Sequence, residues 1–228
     1  MKEVVILAQG AYPTHPYPLQ LLHTAKILIC TDGAVNLLQG REPDIIVGDM
    51  DSLSEELKIK FKSRLIKDTC TETNDLTKAV TYCYKQGIRD ATILGATGLR
   101  EDHTLGNISL LGTYAQLLNT VRMVTDHGIF YVFAATDEPL QTKSNHTKVS
   151  VPCTPGTPVS FFALNPAMKL RAKGVAYPVE DVVFDAWWKA TLNTCTTDCL
   201  QLEFANGPLL VFLPFLPGGQ AGAFGQCY

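Results

Sequence analysis

The first half of the sequence alternates short apolar runs with longer amphipathic stretches, and this alternation constrains the fold more than any other feature. The apolar runs, which we predict to be strands, are residues 4–8, 27–30, 45–47, 64–67, 91–94 and 121–125. The amphipathic stretches, which we predict to be helices, are residues 19–23, 34–39, 54–62, 74–86 and 103–119. Strands and helices in alternation are typical of a parallel sheet built from strand–helix–strand units. The first half is therefore predicted to be an α/β domain.

The second half has a different pattern, in which short alternating or aromatic runs are separated by Pro, Gly and Asn. The predicted strands here are residues 130–134, 148–151, 159–163, 182–184, 200–204 and 209–213. Turn signals that recur about every ten residues are typical of an antiparallel sandwich or barrel. We therefore predict two domains, residues 1–128 and 129–228, and a flexible glycine-rich tail at 218–225.

Composition and charge exclude several classes of protein. With 46% hydrophobic and 18% charged residues, the chain can bury a core and is not expected to be disordered. The 19 Lys and Arg against 22 Asp and Glu give a net charge of −3, so we predict no nucleic-acid partner. No apolar run approaches the roughly 18–20 residues that cross a bilayer, so we also expect no membrane association.

The cysteines and the N-terminus favour a cytoplasmic protein. Seven cysteines are scattered along the chain without a C-x-x-C pair, which fits reduced thiols better than a disulfide framework or a zinc site. The apolar run at residues 4–8 is too short and too polar at its edges for a signal peptide.

Acidic residues follow three of the predicted strands directly. Asp32 follows the strand at 27–30, Asp49 and Asp51 follow the strand at 45–47, and Asp102 follows the strand at 91–94 through a glycine-rich loop. The carboxyl ends of parallel strands face one crevice, which is where ligands bind in open α/β sheets. We therefore expect these carboxylates to lie at one edge of the sheet.

Asp49 and Asp51 form the most suggestive pair. In an extended chain their spacing places both side chains on one face, about 7 Å apart. Two hard oxygen ligands so placed suit Mg²⁺, which completes its shell with water and phosphate. The alternative is a solvated turn whose acids and serines, Ser52 and Ser54, cap the following helix.

A second group lies at the start of the helix predicted at 103–119. A helix N-terminus attracts anions, and Arg100 just before it adds a bidentate donor. His103 and Asn107 are four residues apart and share one face of the helix. The alternatives are that Asp102 only caps this helix and that His103 is a half-buried structural histidine.

Phosphate-loop signatures of the G-x-x-x-x-G-K-[ST] and G-x-G-x-x-G types are missing, so any ATP must be held by acids, Mg²⁺ and a non-standard loop. Four blocks nevertheless form a specific pattern. In order they are DGAVN at 32–36, PDIIVGDMDS at 43–52, NDLTKA at 74–79 and LGATGLREDHTLGN at 94–107. With these blocks the chain closely resembles thiamine pyrophosphokinases.

The resemblance implies a Rossmann-like three-layer α/β catalytic domain followed by an antiparallel β-sandwich that binds thiamine and forms a homodimer with shared sites. It implies an enzyme that transfers the pyrophosphoryl group of ATP to thiamine, giving thiamine diphosphate and AMP. Asp49, Asp51 and Asp75 would hold Mg²⁺ and the polyphosphate. The other site residues that it implies are Asp32, Asn36, Ser52, Arg100, Asp102, His103, Asn107, Tyr177 and Asn193.

Within that scheme, Asp102 would lie beside the thiamine hydroxyl and the metal, and Arg100 would lie on the phosphates. Tyr177, within GVAYPV at 174–179, resembles the segment that brings an aromatic residue to thiamine from the partner subunit. Trp187 and Trp188 are rival aromatics. Leu192 departs from the family pattern, where a Ser precedes the Asn at 193.

Two other functions remain open. One is a different Mg²⁺ enzyme built on D-x-D at a strand end, such as a phosphatase of the haloacid dehalogenase type or a glycosyltransferase. Those phosphatases usually place their nucleophilic Asp after the first strand, where this chain has Gln9 and Gly10. The other is a non-catalytic protein that binds thiamine or nucleotide, for which Leu192 is the one hint.

Overall fold

The computed structural model describes residues 3–135 and 146–216, so the glycine-rich tail at 218–225 lies outside the described residues. The chain divides into two compact units, Met1–Asp126 and His127–Tyr228. The first unit contains a parallel sheet with helices, and the described residues of the second unit form antiparallel strands joined by turns and irregular segments. The fold class is therefore the predicted one, an α/β domain followed by an antiparallel β domain.

The sheet of the first unit has six parallel strands in the order β6-β5-β1-β2-β3-β4. Their bounds are β1 Val4–Leu7, β2 Ile27–Thr31, β3 Ile45–Gly48, β4 Leu65–Lys67, β5 Asp90–Leu94 and β6 Thr120–Val124. Every residue of β1 is buried, as expected for a central parallel strand covered on both faces. All six predicted strands of this half are present.

The connections of the first unit are four α-helices and two short 3₁₀ turns. The helices are α1 Pro16–Thr24, α2 Glu55–Lys60, α3 Asp75–Lys85 and α4 Glu101–Leu117, and the 3₁₀ turns are Gly33–Leu37 and Lys62–Arg64. The helix predicted at 34–39 is thus a 3₁₀ turn, held at its start by the Asp32 side chain, which accepts from the Gly33 N–H.

Helix α3 shows how local sequence sets the bounds of an element. Asn74 caps its N-terminus, because the Asn74 Oδ1 accepts from the Thr77 N–H at 2.9 Å. Gly87, with φ of +73°, ends it in the left-handed region that favours glycine. The buried face consists of Leu76, Lys78, Ala79, Val80 and Cys83.

The second unit has two antiparallel sheets. The strands are β7 Gly128–Phe133, β8 Thr147–Pro152, β9 Pro158–Ala163, β10 Lys169–Lys173, β11 Asn193–Thr194, β12 Cys199–Ala205 and β13 Leu209–Pro214. One sheet has the order β11-β9-β13-β7 and the other β10-β12-β8. A single core between them includes Phe161 and Val211 from the first sheet and Leu200 and Phe204 from the second. This arrangement is a sandwich.

Three details of the second unit differ from the prediction. Residues 182–184 are not a strand but part of an irregular segment, and the two-residue strand β11 was not predicted. The rival aromatics Trp187 and Trp188 lie in turns. Strand β10 was not predicted because its sequence, KLRAK, has three charged residues. Those three face solvent while Leu170 and Ala172 face the core, so the alternation is real but weakly apolar.

Five of the cysteines are free thiols, namely Cys30, Cys70, Cys83, Cys153 and Cys195. Cys199, in contrast, is disulfide-bonded, so the expectation that all the thiols are reduced is wrong for Cys199.

In the part of the chain that the structure describes, no helix is long and apolar enough to cross a membrane.

Candidate active site

A cleft of about 640 Å³ lies in the first unit, beyond the carboxyl ends of its strands. Residues just after four strands line it, as expected for an open parallel sheet. These residues are Ala8, Gln9 and Gly10 after β1, Thr31 at the end of β2, Asp49 after β3, and Ala96 and Thr97 after β5. The remaining wall comes from the segment at 70–78 and from the start of α4.

Three aspartates converge at this edge of the sheet. Asp32, Asp49 and Asp51 each offer a carboxylate oxygen, and these oxygens lie within 4.8 Å of one another. Asp32 is buried, whereas Asp51 is exposed. The prediction that separate strands deliver carboxylates to one place is confirmed for β2 and β3.

The chain turns at Met50, between Asp49 and Asp51, and is not extended there as we predicted. Met50 has φ of +72°, which a non-glycine residue adopts only when its surroundings hold it there. Asp49 accepts from the Asp51 N–H at 3.0 Å, and Asp32 accepts from the Met50 N–H at 2.9 Å. The turn brings the two carboxylates closer together than an extended chain would.

Glycines make room for this arrangement. A Cβ on Gly48 would lie 2.6 Å from the Asp32 Cγ, and a Cβ on Gly33 would lie 1.9 Å from the Gln9 Oε1. The Asp32 carboxylate therefore rests directly against the backbone at the end of β3, which only glycine permits.

The electrostatics of the three acids suit a cation. Burial raises the pKa of Asp32, and the negative charges of Asp75 and Asp49 raise it further. Hydrogen bonds from the Gly33 and Met50 N–H groups lower this pKa, but the net shift is upward. Hydrogen bonding by Asp51, chiefly through its backbone N–H, lowers the pKa of Asp49. Clustered carboxylates repel one another, and a bound cation would relieve that repulsion.

The donor set fits Mg²⁺. The ligand atoms are hard carboxylate oxygens, which Mg²⁺ prefers. At Mg–O distances of 2.0–2.1 Å, ligand oxygens on opposite sides of the ion are about 4.2 Å apart, so oxygens within 4.8 Å of one another are close to a usable shell.

Asp75 lies apart from this group of three and has a partner of its own. It lines the cleft at the first turn of α3, and its Oδ1 is 2.9 Å from the Lys78 Nζ. Lys78 is only 6% exposed. The structure thus joins Asp75 to a buried lysine.

Asn36 and Ser52 hold the loops that carry the acids. The Asn36 Nδ2 donates to the Ser52 carbonyl at 3.0 Å, and the Ser52 Oγ donates to Asp51 at 3.0 Å. Neither residue lines the cleft. Asn36 and Ser52 therefore support the turn that carries Asp49 and Asp51 from outside the cleft.

Arg100, His103 and Asn107 line the cleft at the start of α4, and Asp102 does not. The Arg100 guanidinium binds both Asp102 carboxylate oxygens, with its Nε 3.1 Å from Oδ1. This pairing, helped by the His103 N–H, lowers the pKa of Asp102 to about 2. Asp102 is therefore a permanent carboxylate that neutralises Arg100.

Asn107 connects two walls of the cleft. Its Nδ2 donates to the Ala96 carbonyl at 2.8 Å, and its Oδ1 accepts from the Asn74 Nδ2 at 3.1 Å. The same Asn74 caps α3. Asn107 thus ties α4 to the loop after β5 and to the start of α3, with its side chain at the cleft surface.

In the second unit, Tyr177 and Asn193 belong to one local structure. The Asn193 Oδ1 accepts from the Tyr177 N–H at 3.0 Å, and its Nδ2 donates to the Tyr177 carbonyl at 2.7 Å. Asn193 is buried, whereas Tyr177 is 66% exposed. Both polar groups of the Asn193 side chain thus bind the backbone of Tyr177, and the Tyr177 ring faces solvent. Leu192 is also exposed and has φ of +58°.

Sequence reasoning did not single out Lys78 or Thr31 as site residues, although both line the cleft. A signal for Lys78 was present, because it lies among the apolar residues on the buried face of α3. Thr31 ends a strand that leads to the predicted crevice, but a threonine there carries no distinctive signal.

Comparison with known families gives two consecutive matches. Residues 19–137 match a model described as "Thiamin pyrophosphokinase, catalytic domain". Residues 142–212 match a model described as "Thiamin pyrophosphokinase, substrate-binding domain". Together they cover most of the chain.

Comparison with individual proteins gives the same result as the family models. The chain is 31% identical over 134 residues to thiamine pyrophosphokinase 1 of Oryza sativa subsp. japonica, a match that covers 46% of this chain. It spans about half of the rice protein's length, 50%.

Solved structures share the fold. Thiamine pyrophosphokinase from Bacillus subtilis has a TM-score of 0.74 and 20% identity, covering 93% of this chain and 99% of that one. Thiamin pyrophosphokinase from Candida albicans has a TM-score of 0.67 and 16% identity, covering 92% and 89% of the two chains.

Proposed function

Because the chain belongs to the thiamin pyrophosphokinase family, we propose that it transfers the pyrophosphoryl group of ATP to the hydroxyl of thiamine, forming thiamine diphosphate and AMP. The observation that carries this proposal is the convergence of Asp32, Asp49 and Asp51 beside the 640 Å³ cleft. Carboxylates grouped in this way suit a polyphosphate that is bound with a divalent cation.

Asp49 and Asp51, with Asp32 behind them, would hold Mg²⁺, which when bound neutralises charge on the phosphates and orients them. Asp75, which the family resemblance also assigns to the metal, faces the same cleft. The oxygen of the thiamine hydroxyl attacks the β-phosphorus and a P–O bond forms, while the bond between the β-phosphorus and the α,β-bridging oxygen breaks to release AMP. The hydroxyl proton is released to water. The residues contribute mainly by positioning and charge.

Arg100 and the N–H groups at the start of α4 would supply hydrogen-bond donors for the phosphates in the cleft wall. A helix N-terminus presents free N–H groups to anions, and the guanidinium adds a donor fork. Asp102 holds Arg100 in the present structure. The family resemblance places Asp102 beside the thiamine hydroxyl, whereas in the present structure Asp102 does not line the cleft and its carboxylate pairs with Arg100.

The second unit is proposed to bind thiamine and to form a homodimer. Tyr177, Val183, Trp188 and Leu192 are more than half exposed, and all lie between residues 177 and 192. Aromatic faces attract cations, and the thiazolium ring of thiamine is a cation. Exposed apolar side chains of this size often mark an interface. Sedimentation at micromolar concentration should show a dimer, and a fully active monomer would contradict a shared site.

Incubation with ATP, Mg²⁺ and thiamine tests the reaction. We expect AMP to form only when thiamine is present, in equal amount to thiamine diphosphate. Phosphate release without thiamine would instead support a phosphatase. Saturable thiamine binding without AMP formation would support a non-catalytic binding protein.

A further inference from the structure

Two buried cysteines, Cys153 and Cys195, meet in the core of the second unit. Both are free thiols, 5% and 1% exposed, and both belong to the core between the two sheets. Their segments lie side by side, because the Cys195 N–H donates to the Thr157 carbonyl at 2.8 Å and the Cys153 N–H donates to the Asp198 carbonyl at 2.9 Å. The backbone therefore holds the two cysteines on neighbouring segments of the core.

A hydrogen bond between the two thiols makes them chemically different. Burial raises the pKa of both thiols, and that of Cys195 to about 12. The hydrogen bond opposes this rise at Cys153 and adds to it at Cys195. Because the thiolate is the nucleophilic form of cysteine, Cys153 is the more reactive of the two.

A small cavity reaches Cys153 but not Cys195. Its volume is about 10 Å³, enough for roughly one water-sized molecule, and Thr157 and Leu213 line it with Cys153. The Thr157 Oγ1 is buried without a hydrogen-bond partner among the described residues, and Thr157 is only 4% exposed. Buried hydroxyls almost always have partners, so this one indicates a small polar guest beside the Cys153 thiol.

We infer that Cys153 and Cys195 form a peroxide-sensitive dithiol, in which hydrogen peroxide bound beside Thr157 oxidises Cys153 and Cys195 then closes a disulfide. The Cys153 sulfur attacks one peroxide oxygen, the O–O bond breaks and water leaves, so that Cys153 becomes a sulfenic acid. The Cys195 sulfur next bonds to the Cys153 sulfur, and the sulfenic oxygen leaves as a second water. In total the two thiols lose two hydrogen atoms and two electrons, which reduce the peroxide to two waters.

The disulfide would clamp the segment that leads to Tyr177. Cys195 directly follows β11 and pairs with Val175, two residues before Tyr177. A disulfide constrains the unfolded chain, so we expect peroxide to raise the melting temperature of the protein by about 5–10 °C. The melting temperature of Cys195→Ala should not respond to peroxide.

Peptide mapping of the folded, full-length chain after treatment with hydrogen peroxide tests the inference. Digestion with trypsin and a protease that cleaves before aspartate places Cys153 in residues 149–169 and Cys195 in residues 190–197, separate from Cys199. We expect these two peptides to be linked, with the loss of two hydrogen atoms. The linkage should form about tenfold or more faster at pH 9 than at pH 7, because the thiolate reacts.

Cys30 and Cys83 are the internal controls. Both are buried free thiols of the first unit, so both should stay reduced in the same sample while the protein remains folded. Cys195→Ala should stop at the sulfenic acid of Cys153, which dimedone traps, and Cys153→Ala should leave Cys195 reduced.

Thr157→Val tests the cavity. The loss of its hydroxyl should slow the oxidation of Cys153 about two- to tenfold, because one hydrogen bond to the peroxide is removed. Thr31→Val is the matched control, because it removes a buried hydroxyl without a partner from the first unit and should oxidise at the wild-type rate.

The inference is overturned if the linked peptide does not form while Cys30 and Cys83 stay reduced. It is also overturned if Cys30 and Cys83 oxidise as fast as Cys153 and Cys195, because oxidation would then follow unfolding. Both results are independent of the proposed thiamine reaction, which the AMP assay tests.

Discussion

Asp32 accepts a hydrogen bond from the Met50 backbone N–H at 2.9 Å, and this bond fixes the turn that carries two of the candidate metal ligands. The other Asp32 oxygen accepts from the Gly33 N–H at 2.7 Å. Met50 sits in the left-handed region, with φ of +72°. A buried carboxylate thus organises the loops after β2 and β3 at once, and its position depends on Gly48.

Gly48→Ala should damage the site through Asp32. The new Cβ would lie 2.6 Å from the Asp32 Cγ, so the carboxylate must move away from Met50. We expect kcat/KM to fall about tenfold or more and the protein to lose about 1–3 kcal/mol of stability. Gly106→Ala is the control, because nothing lies within 4 Å of a Cβ there and alanine favours a helix. Equal kinetics for Gly48→Ala and the wild type would argue against this role of Asp32.

Asp51→Asn should abolish most turnover while leaving the fold intact. The change removes one negative charge from an exposed group without altering its volume. We expect kcat/KM to fall about hundredfold or more, with partial recovery at high Mg²⁺. Glu55→Gln, an exposed acid on α2, should behave as the wild type. A Mg²⁺ titration that is unchanged in Asp51→Asn would remove Asp51 from the metal site.

The sequence was sufficient to predict the elements whose local signals agree with their environment. The strand at Ile45–Gly48 is a compact apolar run, and α3 has both a cap at Asn74 and a stop at Gly87. The segment at 182–184 failed because an apolar run also suits an irregular segment packed on a core, where Val182 and Phe184 lie. Strand β10 was missed because its solvent face is fully charged.

Asn193→Ala tests whether Asn193 positions Tyr177. The substitution leaves the Tyr177 N–H and carbonyl without partners, so we expect a loss of about 1–3 kcal/mol. The KM for thiamine should rise while the KM for ATP stays unchanged. Asn165→Ala, which removes an acceptor of the Ala167 N–H on an exposed loop, is the matched control. A parallel rise of both KM values would show that the effect is general unfolding.

Asp126→Asn should reveal a pH-dependent anchor of the loop after β1. Asp126 accepts from the N–H groups of Thr14 and His15 and from the Thr14 hydroxyl. Although burial raises the pKa of Asp126, these bonds outweigh it and lower the pKa. A lowered pKa means that the stabilisation is present above the unfolded value of about 3.9 and is lost as the pH falls below it. The gap in unfolding free energy between the two proteins should therefore be wide at pH 7 and narrow near pH 3.

The part of the site that could be predicted from the sequence is the part that depends only on which acid follows which strand. Asp32 and Asp49 follow neighbouring parallel strands, so their proximity follows from topology. The turn at Met50 could not be predicted from the sequence, because the positive φ of this methionine is imposed by the hydrogen bond to Asp32 and not by local preference. The burial of Lys78 likewise depends on the packing of α3 against β2 and β3 and on the charge of Asp75.

The central claim is that the β- and γ-phosphates leave ATP together and are joined to thiamine. Parallel reactions with thiamine, Mg²⁺ and ATP labelled at either the α- or the γ-phosphorus test it most directly. We expect the γ label in thiamine diphosphate and the α label in AMP, and both products should form about a hundredfold or more slowly with Asp51→Asn. Release of the γ label as inorganic phosphate, with ADP carrying the α label and thiamine unmodified, would contradict the claim.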